Sequence, residues 1–179
     1  MLDTILDAAQ NIGMAIGIII FSIIYCHQYI KKATSKLPIG VSVKKQNEED
    51  LRIHEAMEHF KELLKADRVM VFEFHNGQHY SNYRSALKLS ASYEVYRAGL
   101  TSNREKCTNL PISIMPAFIS EITTKGIVEC KNLEDIKEKM PNTYHFKKSL
   151  GIQAFYDVAI KDKDNNIIGF VAIQWTEAI

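Results

Sequence analysis

Cysteine is scarce in this chain, and the few cysteines are not spaced as a disulfide or metal set. The 179 residues include three, Cys26, Cys107 and Cys130, and no two of them form a CxxC pair. An odd number at wide separations indicates neither a disulfide framework nor a zinc site. Reduced thiols are typical of a cytosolic domain. We therefore expect no metal and no cofactor.

Catalytic motifs and a basic surface are lacking too. The chain has no Gly-rich phosphate loop, nucleophile–base pair or paired-carboxylate motif. Of its 22 Lys and Arg and 21 Asp and Glu residues, five lysines and two aspartates precede Gln46, so the remainder is nearly neutral. A nucleic-acid surface needs a clear basic excess. We expect neither an enzyme nor a nucleic-acid partner.

One long hydrophobic run stands near the N-terminus. Residues 12–26, IGMAIGIIIFSIIYC, carry no charge, and counting from Ala8 to Ile30 gives the roughly 20 residues that a spanning helix needs. The acidic N-terminus and the bulky residues after the run argue against a signal peptide. The run is apolar all round, which argues against a helix lying on the membrane surface. Residues 1–30 are therefore predicted to form a single transmembrane anchor.

Lysine placement predicts the orientation of this anchor. Residues 1–30 contain no Lys or Arg, whereas residues 31–45 contain five lysines and no acid. Positive flanks stay in the cytoplasm and attract anionic lipid headgroups. We expect a lipid bilayer as partner, the N-terminus outside, a basic juxtamembrane linker at 31–45 and a cytoplasmic domain at 46–179.

Small residues repeat along one face of the predicted anchor. Ala9, Gly13 and Gly17 are four apart, which would let a second helix backbone approach closely. Either this face mediates self-association into a homo-oligomer, or Gly and Ala are present simply because they are common in membrane helices.

The remaining sequence predicts helices between paired strands. The helix at 47–65 has an apolar stripe and Asn47 as a possible N-cap, and the strand at 86–97 alternates so that Leu87, Leu89, Ala91, Tyr93 and Val95 would share one face. The other predicted elements are strands at 66–75, 126–130, 152–160 and 167–176 and helices at 114–125 and 134–149, the last broken near Pro141. This order predicts an α+β domain with an antiparallel sheet flanked by helices, preceded by one transmembrane helix.

Three passages of this domain carry a resemblance to a known family. They are ADRVMVFEFHNG at 66–77, LPISIMPAFISEITTKGIVECKNLED at 110–135 and GIQAFYDVAIKDKDNNIIGFVAIQW at 151–175. In order and spacing they resemble the first strand, a helix leading into a short strand, and the closing hairpin of GAF domains, which are small-molecule sensors related to PAS domains. The chain as a whole, with its predicted anchor and its His-Asn-Gly turn, also resembles short membrane-anchored proteins of bacteriophages and related elements.

The ligand motifs of known GAF domains are not reproduced. Asn103-Arg104-Glu105 with Phe118 departs from the cyclic-nucleotide pattern, and Cys107 lacks the context of a chromophore cysteine. The cysteine set of the methionine-sulfoxide-reductase members is missing. The resemblance therefore implies a sensor-type fold without recognised ligand chemistry, and we expect no output domain after the last strand.

Candidate ligand-binding residues cluster after the first strand. Glu73 is either on the solvent face or a partly buried acid that marks a site. His75 and His79 are four apart but lie on a strand end and turn, so a hydrogen-bonded turn with Asn76 is favoured over a metal site. Residues 78–85, with Tyr83 and Arg84, either cover a ligand pocket or form a solvated loop.

Two further candidates lie on other strands. Tyr93 either places its hydroxyl at a pocket wall or packs in the core, and Asp157 points either at the cavity or at water.

Two functions remain after these observations. The first is a cytoplasmic-facing, membrane-anchored binding module, self-associating and able to bind a small ligand. The second is a structural or envelope-active phage membrane protein, holin-like or a virion-membrane component, that uses its GAF-like domain as a protein–protein contact.

Overall fold

The computed structural model describes residues 43–77, 79, 83 and 85–179. The chain divides into two compact units, 1–49 and 50–179. The predicted anchor, its small-residue face and Arg84 lie outside the described residues. Within the described ranges, no helix has the length and hydrophobicity needed to cross a membrane.

Three α-helices and six strands make up the described part of the chain. In chain order they are α1 (Val43–Leu63), β1 (Arg68–His75), β2 (Lys88–Tyr96), β3 (Leu110–Pro111), α2 (Pro116–Lys125), β4 (Ile127–Cys130), α3 (Pro141–Ser149), β5 (Ala154–Lys161) and β6 (Ile167–Trp175). Short 3₁₀ turns occupy Glu105–Cys107, Ile112–Ile114 and Leu133–Ile136. The predicted break near Pro141 is confirmed, because α3 begins there after a separate 3₁₀ turn.

The six strands form one sheet in the order β3-β2-β1-β6-β5-β4. Every neighbouring pair is antiparallel. Two hydrophobic clusters lie on opposite faces of the sheet. On the inner face, α2 and α3 pack against residues such as Met70, Phe72 and Phe170. On the outer face, Met57 of α1 packs against Val69 and Val71. The predicted α+β fold, with an antiparallel sheet flanked by helices, is confirmed.

Helix α1 uses the apolar stripe that the sequence predicts. Met57 is buried, and Ile53 packs partly buried against the outer cluster. The helix already includes Val43, so Asn47 lies inside it and the predicted cap is wrong. Lys44, Lys45 and Gln46 are good helix formers, so nothing in their chemistry ends a helix before Asn47.

Strand β2 does not keep one apolar face, contrary to the prediction. Phe72 pairs with Ala91 and the preceding Val71 pairs with Tyr93, so Ser92 is an extra residue that forms a β-bulge. Leu89 and Ala91 lie in the inner cluster, whereas Tyr93 and Val95 pack in the outer one. A bulge shifts the side-chain alternation by one residue. Alternation in the sequence cannot reveal it, because small or apolar residues stand on both sides of Ser92.

Two glycines occupy backbone positions that would be unfavourable for a residue with a side chain. Gly126 ends α2 with φ 77°, a conformation that glycine adopts at low cost. At Gly169 a Cβ atom would lie 2.1 Å from the carbonyl oxygen of Phe72, so only glycine lets β6 approach β1 this closely. The position of Phe72 on the inner face therefore depends on a residue of another strand.

Candidate functional site

A small cavity lies between the inner face of the sheet and helices α2 and α3. Its volume is about 10 Å³, close to the space that a single water molecule requires. The wall consists mostly of apolar side chains, with two polar ones; the lining residues are Phe72, Met115, Phe118, Phe146, Lys147, Leu150, Phe170 and Gln174. A largely apolar wall with a few polar groups is the usual composition of a small-molecule site.

Stacked aromatic rings form one wall of the cavity. The rings of Phe72 and Phe170 are nearly parallel, with centroids 4.7 Å apart. Phe118 of α2 meets Phe170 edge-on at 5.3 Å. These geometries are the favourable ones for aromatic pairs. Helix α2 is thereby held against β1 and β6.

A buried ion pair lies beside this wall. Nζ of Lys147, on α3, is 2.7 Å from Oδ2 of Asp157 on β5, and the two side chains are 5% and 0% exposed. The ammonium also lies 4.1 Å from the centroid of the Phe155 ring, a cation–π distance. Burial raises the pKa of the Asp157 carboxyl, and the charge of Lys147 opposes that rise. Burying two charges is costly unless they meet in a good geometry. The pair therefore depends on the present position of α3 against β5.

Three buried oxygens near this region have no hydrogen-bond partner. They are Oε1 of Gln174, Oδ1 of Asp157 and Oγ1 of Thr143. Gln174 is 2% exposed and lines the cavity itself. An unpaired buried polar atom costs about 1–3 kcal/mol, so each of these oxygens calls for a donor that the protein does not supply. The cavity therefore has unused hydrogen-bonding capacity.

A second buried charge pair fixes the loop at the end of the cavity. Nε of Arg68 lies 3.0 Å from Oε1 of Glu94, and Nη2 of Arg68 donates to the Thr101 carbonyl at 2.6 Å. The side chain of Asn103 donates to the Leu150 carbonyl at 2.9 Å. Because Leu150 lines the cavity, this network links β1 and the loop after β2 to the cavity wall.

The candidate residues predicted from the sequence separate onto two faces. Asp157 is buried on the inner face. Glu73, His75 and Tyr93 lie together at the outer face, where Ser92 donates to the exposed Glu73 and Nε2 of His75 is 2.9 Å from Oγ of Ser90. His75 is thus part of a hydrogen-bonded strand end. Among the described residues, no three His, Cys, Asp or Glu side chains converge as a metal site requires.

Tyr93 joins the sheet to helix α1. Its hydroxyl donates to Oδ1 of Asp50 at 2.7 Å, and its ring meets that of His54 edge-on, with centroids 6.0 Å apart. Burial, followed by the hydrogen bond to Asp50, raises the pKa of the Tyr93 phenol above its ordinary value. Tyr93 therefore contacts α1 and not the inner cavity.

The remaining candidates are exposed or undescribed. Asn76 is exposed, and Tyr83 is 89% exposed, while Arg84 lies outside the described residues. Sequence reasoning missed Lys147 and Gln174. Lys147 sits in a Lys-Lys pair that is typical of a solvated helix end, and only the burial of Thr143 one turn earlier distinguishes its face. A signal for Gln174 did exist, because a glutamine interrupts the apolar run of β6.

Comparison with known proteins identifies the fold. The sequence matches no family model and no curated protein. The structure is similar to the phycocyanobilin-bound GAF domain of a cyanobacterial phytochrome, with TM-score 0.52 and 12% identity over 79% of this chain and 84% of that one. It is similar to the PixJ GAF domain of Thermosynechococcus elongatus in its blue-light-absorbing form, with TM-score 0.52 and 17% identity over 78% and 77%.

A third similar structure does not come from a photoreceptor. It is the NreA protein of Staphylococcus aureus, mutated in its nitrate-binding site, with TM-score 0.51 and 15% identity over 72% of this chain and 86% of that one. At such identities the comparisons establish the fold alone. The domain has a GAF-like α+β fold, a curled antiparallel sheet with flanking helices.

Proposed function

We propose that this chain is a membrane-tethered binding module whose GAF-like domain holds a small molecule between the sheet and helices α2 and α3. The observation that carries the proposal is Oε1 of Gln174, a buried acceptor without a partner on a side chain that lines a largely apolar cavity. A ligand that donates to this oxygen would remove an unpaired polar group from the interior.

Similar folds are known with small molecules. One similar structure contains phycocyanobilin and another has a nitrate-binding site. Neither ligand transfers to this chain residue by residue, since identities of 12% and 15% carry no site chemistry. What they support is that a domain of this shape can hold small ligands on a scaffold like this one.

The proposed role is binding and not catalysis. Lys147 is the ionisable residue in the cavity lining, and it is paired with Asp157 at 2.7 Å. Neither is left available as a general acid or base. The tether rests on the uncharged run at 12–26 and the five lysines at 31–45, which support a single-pass anchor with the domain on the cytoplasmic side. Self-association through Ala9, Gly13 and Gly17 belongs to the same proposal.

Extraction of the purified protein tests this function. The full chain is purified from its membrane in mild detergent, denatured, and its small-molecule extract is examined by mass spectrometry. We expect one compound at close to one equivalent per chain. Phe146→Trp, which enlarges a half-buried side chain of the cavity wall, is expected to lower that yield severalfold by filling the cavity.

The matched control places the same substitution elsewhere. Phe60→Trp changes α1, which lies on the outer face, and is expected to leave the yield unchanged. A wild-type extract without a stoichiometric compound would contradict the proposed function, as would equal yields from all three proteins.

A further inference from the structure

The polar groups at the cavity indicate what kind of molecule it would hold, and this inference rests on the proposed function. Two polar side chains line the cavity, Lys147 and Gln174. Oε1 of Gln174 has no hydrogen-bond partner, so a ligand gains most by donating a hydrogen to it. Nitrate and other simple anions have no hydrogen to donate.

The charged groups beside the cavity disfavour ligands that are ions of either sign. The ammonium of Lys147 lies at the wall and would repel a cation at short range. An anion gains little, because the carboxylate of Asp157 lies 2.7 Å from that ammonium and balances its charge. The rest of the wall is apolar, including Phe72, Phe118 and Phe170, and moving an ion out of water into such surroundings is costly.

Lys147 has hydrogen-bonding capacity left. An ammonium carries three N–H donors, and the structure gives Nζ of Lys147 one carboxylate acceptor, Oδ2 of Asp157. A ligand group that donates to Gln174 and also accepts from Lys147 would use both polar side chains at once. Hydroxyl and primary amide groups do this without a charge.

We propose that the cavity accepts a small neutral molecule bearing a hydroxyl or primary amide group, with an apolar remainder against the phenylalanine rings, and discriminates against anions and cations. The volume of about 10 Å³ limits the occupant to the size of a water molecule as the side chains stand. A larger occupant requires a wall residue to move outward. Phe146 is the aromatic wall residue that is only half-buried.

Three probes of the same shape and different charge test the proposal: acetamide, acetate and acetamidinium. The full chain, labelled at its methionine methyl groups, is reconstituted in lipid nanodiscs and titrated with each probe and with nitrate, observed by NMR. Met115 lines the cavity and Met57 lies on the outer face, so Met115 reports binding and Met57 is an internal control.

We expect acetamide to shift the Met115 signal with at least tenfold higher affinity than acetate, acetamidinium or nitrate, and to leave Met57 unchanged. Gln174→Met removes the acceptor at similar volume and is expected to abolish this preference. Gln174→Glu is expected to shift it toward acetamidinium. Gln153→Met, the same substitution at a half-buried glutamine outside the cavity wall, is the matched control and should bind as wild type.

Comparable or tighter binding of acetate, nitrate or acetamidinium at Met115 would overturn the proposal, and so would the absence of any shift with acetamide. The ranking of the four probes is measured on the wild-type chain, so the test stands even if a Gln174 variant misfolds. If the extraction experiment yields a stoichiometric charged compound, the binding function stands and the neutral-ligand inference fails. If neither experiment detects binding, both fail.

Discussion

At the residue scale, the stability of the domain depends on two charged side chains buried in its interior. Lys147 and Asp157 bring two charges out of water, 5% and 0% exposed, and offset that cost through one contact of 2.7 Å. Removing one partner of such a pair leaves the other as an uncompensated buried charge, whereas removing both leaves an apolar contact. The two cases should therefore differ strongly in stability.

Lys147→Met is expected to lower the free energy of unfolding by about 3–5 kcal/mol, because Asp157 then lacks its counter-charge. The double variant Lys147→Met/Asp157→Leu is expected to recover most of that loss. Urea unfolding of the full chain in detergent, followed by the fluorescence of Trp175, the only tryptophan, measures both.

Lys148→Met provides the comparison, since the neighbouring lysine side chain is 52% exposed. Its effect should stay within about 0.5 kcal/mol, as is usual for a surface substitution. A double variant no more stable than Lys147→Met would show that the ion pair has a role beyond mutual neutralisation.

At the residue scale, the sequence predicts less than at any other. Asp157 was a candidate because it interrupts an apolar strand, but the strand pattern could not say which face it occupies. Its partner Lys147 lies ten positions away on a helix, and only the packing of α3 against β5 brings them together. Glu73, His75 and Tyr93 are close to each other as expected for neighbours on paired strands, yet they lie on the face opposite the cavity.

At the scale of elements, helix α1 is connected to the sheet by a polar contact as well as by packing. The Tyr93 hydroxyl donates to Asp50 at 2.7 Å, and Met57 packs on the outer cluster about two turns further along the helix. The tyrosine stands directly after the β2 bulge, so the position of α1 depends on the register of β2 against β1.

Tyr93→Phe removes the hydroxyl and keeps the ring. We expect a loss of about 1 kcal/mol in the free energy of unfolding, the typical worth of one hydrogen bond, and faster amide hydrogen exchange in α1 than in α2. Tyr96→Phe on the same strand, at a 38% exposed position, should change neither. Unchanged exchange in α1 would mean that packing alone holds the helix.

Elements were easier to predict than their faces. Period and flanking signals locate every strand of four or more residues to within two positions at either end, and Pro116 and Gly126 correctly bracket α2. The start of α1 was placed late, because an acceptable N-cap residue at Asn47 says nothing about good helix formers before it. The bulge at Ser92 was invisible, because it depends on pairing with β1 and not on β2 itself.

At the scale of the whole molecule, the sequence predicts a membrane anchor in front of the domain. The uncharged run at 12–26 and the lysines at 31–45 predict one out-to-in helix, and the run itself lies before the described ranges. The GAF-like domain supplies the cavity. Such an anchor would hold this cavity close to the membrane surface.

The small-residue face of the anchor makes a direct prediction about assembly. The double variant Gly13→Ile/Gly17→Ile is expected to abolish crosslinked dimers in membranes, because the bulkier side chains prevent close backbone approach. Membrane insertion, followed by carbonate extraction, should be unchanged. Ile16→Val/Ile20→Val, at other positions of the same run, is the control that should still crosslink.

Dimers that persist in the glycine variant would place the association elsewhere in the chain. Loss of insertion would instead mean that these glycines are needed for the segment to enter the membrane.

The extra residue at Ser92 gives strand β2 two phases, much as an inserted base changes a reading frame. Upstream of it, odd-numbered positions face the cavity side, and downstream of it even-numbered positions do. Substitutions in β2 would therefore be tolerated one at a time according to local burial. A deletion of Ser92 would remove the residue that has no partner on β1 and would leave Ala91 opposite Phe72 and Tyr93 opposite Val71. Tyr93 would then still face Asp50, and Glu94 would still face Arg68. Like the removal of an inserted base, this deletion would restore one continuous alternation along the strand.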